Sequence, residues 1–131
     1  SPTCFRTENG DFFGWEGVEN TVGCGAGTCT HVWNYAQTVA FLFPELEQSM
    51  RRIEFLQETQ ADGYMPFRTY RPFGLPAWEM LPSADGQLGA VVRLYREWRL
   101  SGDNRLIEDC WDGVVGYRWG FCPGFCAACD L

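Results

Sequence analysis

From Thr30 onward the apolar positions recur at three- and four-residue intervals, so that Val32, Tyr35, Ala36, Val39, Leu42 and Phe43 share one helical face. Pro44 interrupts that run. Proline is well accommodated in a first turn, and "PELEQSMRRIEFLQET" predicts a second helix with Leu46, Met50, Ile53 and Leu56 on its stripe. Its acids come early and its arginines late, as the helix dipole prefers. Between Gln60 and Pro82 the prolines at 66, 72, 76 and 82 and the glycines at 63 and 74 forbid regular helix. Ser83 or Asp85 can then cap a third helix with Leu88, Val91, Val92, Tyr95 and Trp98 facing inward, stopped by Gly102. Asp103 opens a fourth, burying Leu106, Ile107, Cys110, Trp111, Val114 and Val115. No stretch alternates clearly enough to predict a strand.

The order helix, short turn, helix, long loop, helix, short turn, helix predicts an all-α chain. Helical hairpins joined by alternately short and long connections suit part of an α/α toroid or solenoid, whose long loops gather at one rim to form a site. A plain four-helix bundle is the alternative. The expected division is an irregular segment over 1–29, a hairpin over 30–58, a long loop over 59–82, a second hairpin over 83–119 and a cysteine-rich tail over 120–131.

Composition narrows the function. The 131 residues suffice for one domain, and no apolar run approaches the ~20 residues that span a bilayer. No signal peptide is visible at the start. The net charge of −7 arises from 17 acids against ten basic residues, all arginine, which disfavours a nucleic-acid partner. "GCGAGTCT" (23–30) looks like a phosphate loop but lacks the lysine that such a loop needs, and the third glycine of a dinucleotide fingerprint is replaced by Thr28. Seven cysteines, four of them between 110 and 129, read better as reduced thiols in a cytoplasmic protein than as a disulfide framework.

Several constellations could carry chemistry. Cys122, Cys126 and Cys129 have the C-x3-C-x2-C spacing of an iron–sulfur site, but only two residues follow, where cluster chemistry of that kind needs a barrel. Cys24, Cys29 and His31 form a weak zinc triple, and Cys29 with His31 makes a poor catalytic pair, since residues two apart on a helix diverge. Neither a cofactor nor a metal is therefore expected. Glu16, inside "FFGWEGVEN", is the stronger candidate. A carboxylate beside an indole is partly desolvated, and the ring can pack on the apolar face of a sugar. An exposed turn acid is the plainer alternative.

"DFFGWEG", "GTCTHVWNYAQ", "LFPELEQSMRRIEFL", "GYMPFRT", "ADGQLG" and "LYREWRLSGD" follow one another as they do in bacterial members of glycoside hydrolase family 116, the β-glucosidases similar to non-lysosomal glucosylceramidase. The resemblance covers about Cys4 to Trp111. It implies a partial (α/α)6 barrel, four helices of twelve, and retaining hydrolysis of β-glucosides, β-xylosides or glucosylated lipids. By motif it makes Glu16 the nucleophile, with Trp15, His31, Trp33, Arg68 and Asp85 in the sugar pocket. Thr30 stands near a position where eukaryotic members carry Asp. The family's acid/base Asp lies in a later segment outside this chain, so a truncated or frameshifted end is expected, and the remainder of the catalytic domain is the implied partner. A non-catalytic helical module for carbohydrate binding or protein interaction is the second reading, and a cysteine-rich metal protein the third.

Overall fold

The computed structural model describes residues 3–17, 23–70 and 82–120. Among the described residues four antiparallel strands and the helices around them make the fold mixed, which overturns the all-α expectation and with it the partial (α/α)6 barrel. The strands are β1 (Cys4–Arg6), β2 (Phe12–Gly17), β3 (Gly23–Cys29) and β4 (Arg68–Thr69), hydrogen-bonded in that order. Most of the segment expected to be irregular is thus sheet, and the expected long loop contributes its edge strand. At the tight link from β1 to β2 the Thr7 amide donates to Asp11 O, and Gly10 supplies a left-handed φ of 93° that other residues adopt poorly.

Two features hide these strands from a search for alternation. Phe12 and Phe13 are adjacent and both buried, because β2 is covered on both faces. Phe13 and Trp15 pack against Phe5 of β1, while Phe12 meets the ring of Trp33. Glycines then occupy positions where a neighbour needs the room of a side chain. A Cβ on Gly14 would lie 2.0 Å from Trp33 Cζ2, and one on Gly27, whose φ is 87°, would lie 2.7 Å from Tyr70 Cδ1.

After β3 a 3₁₀ turn (Val32–Tyr35) leads into α1 (Thr38–Leu42), so the first predicted helix is broken and largely exposed. α2 (Pro44–Arg52) runs on into a π-helical segment, Ile53–Glu58. α3 (Ala84–Ser101) begins where Ser83 Oγ accepts the Gly86 amide and ends at Gly102, whose φ is 68°. At the start of α4 (Asn104–Gly120) Asp103 Oδ1 accepts the Arg105 amide at 3.0 Å. These helix ends follow the capping chemistry read from the sequence.

The buried faces do not. On α3 the expected inward residues Leu88, Val92 and Tyr95 are 60%, 66% and 54% exposed, while Gln87, Ala90, Arg93, Leu94 and Glu97 are buried. On α4 Leu106 and Cys110 are buried and Trp111 is exposed; on α2 and its extension Met50 and Ile53 are buried and Leu56 is not. The compact core joins Phe55, Met65, Ala90, Leu94, Leu106 and Cys110.

Beside that core lies a charge network. Arg51 bonds Glu54 at 2.9 Å and approaches Glu47 at 3.4 Å; Arg93 reaches Glu54 at 3.2 Å; Arg96 holds Glu47 at 2.7 Å and Glu97 at 3.1 Å. Burial draws the Arg93 guanidinium down to about 10, still protonated at neutral pH, and pushes the Glu97 carboxyl up. Such pairs add little net stability over apolar packing but make loss of one partner expensive. They also fix α3 against α2, because guanidinium forks tolerate little displacement.

Candidate functional site

Glu16 sits on β2 where the pairing with β3 is irregular: Trp15 faces Thr28, yet Gly17 faces Gly23. Such a bulge re-aims side chains locally. Arg68, paired with Cys29 across the β3–β4 ladder, donates from Nη2 to Glu16 Oε2. Their side chains are 10% and 19% exposed, Arg68 being the more buried. Cys29 lies buried beside both charges; burial raises its thiol pKa, and the Val32 amide donates to its Sγ at 3.5 Å.

Trp33 crosses back from the 3₁₀ turn to β2, where its indole Nε1 donates to Gly14 O at 2.8 Å, two residues from Glu16. Only a glycine permits this approach. Trp15 turns edge-on to Phe5, with ring centroids 5.5 Å apart, and is half-buried. Of the two indoles near Glu16, Trp33 thus closes over the strand and Trp15 is engaged by β1.

A second pair joins His31 and Asp85. His31 Nδ1 lies against Asp85 Oδ2, and the two side chains are 40% and 55% exposed. The Ser83 hydroxyl, then His31, hold the Asp85 carboxyl below its usual range. The His31 ring is edge-on to Tyr35 at 5.5 Å. Close packing makes this meeting possible: a Cβ on Gly86 would lie 2.4 Å from Thr30 Oγ1, and one on Gly89 2.2 Å from the Asn34 amide. Asn34 Nδ2 also donates to Asp85 O at 2.7 Å.

The six residues singled out in the sequence therefore fall into two pairs, Glu16 with Arg68 and His31 with Asp85, and two indoles packed at β2. Residues 28–34 run between the pairs, since Thr28 Oγ1 accepts from the Gly14 amide and the Thr30 amide donates to Phe67 O. Sequence reasoning missed Arg93, whose Nη2 donates to Thr30 O at 3.3 Å and braces the residue before His31. Its place among Val91, Val92 and Leu94 was the available signal, as a helix arginine ringed by apolar residues needs a buried acceptor.

Among the described residues no group of three or more His, Cys, Asp or Glu is placed to hold a metal, and no helix is long and apolar enough to cross a membrane. Cys122, Cys126 and Cys129 lie outside the described residues, as does the side chain of Cys24. No protein-family model matches the chain, and no curated protein matches it.

Proposed function

We propose that the chain is the nucleophile-bearing part of a retaining β-glucosidase acting on a β-glucoside or a glucosylated lipid. The observation that carries this reading is the half-buried Glu16 carboxylate, held by the Arg68 guanidinium on a strand flanked by Trp15 and Trp33. A fixed guanidinium orients one carboxylate oxygen and leaves the other for an anomeric carbon. In the proposed step a Glu16 oxygen bonds to that carbon, the bond to the aglycone oxygen breaks, and the aglycone leaves with the electron pair. An alkoxide leaving group needs a proton at that moment, a contribution of roughly 10² to 10⁴ in rate. In this reading the acid comes from outside these residues, so the chain alone hydrolyses ordinary glucosides poorly.

His31 and Asp85 are assigned to glycone hydroxyls, the carboxylate fixing the imidazole through Nδ1. The exposed Leu88, Val92, Tyr95, Trp111 and Val115 support the remaining part of the proposal, that further catalytic-domain structure packs on α3 and α4. A reducing, cytoplasmic setting goes with it, supported by the free thiols of Cys4, Cys29 and Cys110.

A 2,4-dinitrophenyl 2-deoxy-2-fluoro-β-glucoside tests the reading on the chain itself, because dinitrophenolate departs without protonation. The expected result is one covalent sugar adduct, mapped by peptide mass spectrometry to Glu16 and absent in Glu16→Gln. No adduct, or an adduct on another residue, refutes the nucleophile assignment.

A further inference from the structure

On α3 five exposed residues, Asp85, Leu88, Val92, Tyr95 and Arg99, succeed one another at alternating steps of three and four, which makes a straight seam along one face of the helix. The core residues Ala90 and Leu94 lie on the opposite side. Val92 is the midpoint of the seam. Seven residues before it stands an acid and seven after it a base, each about 10 Å away along the helix. Asp85 bonds Ser83 and His31 yet stays exposed, and a carboxylate has lone pairs to spare for a further donor. Arg99 is exposed over the Trp98 ring and has no carboxylate partner among the described residues. Tyr95 also rests on Trp98, with ring centroids 5.6 Å apart, so the apolar stretch of the seam carries a held aromatic ring.

We infer that this seam is a dimer surface, and that its occupant is α3 of a second copy of the chain, running antiparallel with the two-fold axis at Val92. Val92 then meets Val92 of the second copy, Leu88 meets its Tyr95, and Asp85 meets its Arg99 at either end. Charge selects this occupant. The seam calls for a base opposite Asp85, an acid opposite Arg99 and apolar groups between them, and α3 reversed supplies that order at the same spacing. Charge also sets the direction, because parallel pairing would put Asp85 against Asp85 and Arg99 against Arg99 and lay the two helix dipoles side by side in the same sense. One helix face is small by the ~1,200–2,000 Å² standard of stable complexes, so the pairing is reversible and governed by concentration. The inference uses neither Glu16 nor Arg68. Further catalytic-domain structure seated on α3 would compete with the second copy for the same face.

Two measurements on the 131-residue chain test the surface and its direction. Sedimentation velocity over a concentration series is expected to show monomer and dimer only, with Arg99→Glu weakening the dimer about tenfold or more and Arg6→Glu, the same charge change on exposed β1, leaving it unaltered. Mild oxidation of Val92→Cys should join two chains through position 92, read by mass spectrometry of the linked peptides. Leu88→Cys should give no link from 88 to 88, since in an antiparallel pair the two stand about 12 Å apart along the helix axis. A chain that stays monomeric leaves α3 to other structure and overturns the inference. Open-ended association, equal effects of Arg99→Glu and Arg6→Glu, or a link at 88 in place of 92 overturns it as well.

Discussion

Arg68 of β4 donates across β3 to Glu16 of β2, with both side chains largely withdrawn from solvent. Removing either partner leaves the other charge poorly solvated, so Arg68→Met is expected to lower stability by about 2–4 kcal/mol in urea unfolding. Adding Glu16→Leu to that variant recovers part of the loss. Strictly additive losses in the double-mutant cycle would show that the two groups do not interact.

Gly14→Ala puts a methyl group where the Trp33 ring already lies. The indole must move and surrender its bond to Gly14 O, at a cost of about 1–3 kcal/mol. The indole N–H signal of Trp33 reports this by NMR: it should shift strongly in Gly14→Ala and little in Gly10→Ala, where nothing stands within 4 Å of the added atom. Equal shifts in the two variants would contradict the close approach.

Asp85 supplies a pH dependence. Its folded-state pKa is depressed, first by the Ser83 hydroxyl and then by His31, so its contribution to stability is present above the unfolded carboxylate range. That contribution is lost as pH falls through the lower, folded value. Carboxyl NMR titration should give Asp85 a midpoint below that of an unstructured aspartate, raised more by Ser83→Ala than by His31→Gln. The reverse order would assign the main influence to the imidazole.

Leu88 and Tyr95 lie exposed on α3, four and three residues from Val92, which is exposed with them. A stripe of that kind favours association, and sedimentation velocity is expected to show the chain self-associating as its concentration rises. Leu88→Glu with Tyr95→Glu should restore the monomer while changing unfolding stability by no more than about 0.5 kcal/mol. A monomeric, unsubstituted chain at high concentration would be the contrary finding.

Local chemistry was readable in the sequence where it is decided within a few residues. Ser83, Gly102 and Asp103 mark helix ends because capping depends on one side chain and one or two backbone groups. The sheet was hidden because its evidence is tertiary: Gly14 and Gly27 look like breakers until Trp33 and Tyr70 are seen in the space they leave. The helix faces were misjudged for a related reason. Hydrophobic periodicity assumes that charge faces water, whereas Arg51, Glu54 and Arg93 pair with one another inside, and Leu88, Val92 and Tyr95 of α3 are turned outward. At the site, residue types picked out Glu16, Arg68, His31 and Asp85, but their grouping into pairs needed the strand register and the close approach at Gly86.

The six interlocked charges of α2, its π-helical extension and α3 also limit how this sequence can change. Glu47, Arg51, Glu54, Arg93, Arg96 and Glu97 each serve a partner that has little water to fall back on. A lone neutral replacement strands its neighbour, so divergence here has to proceed by coupled exchanges. Two helical segments far apart in the chain are thereby bound to a shared inheritance.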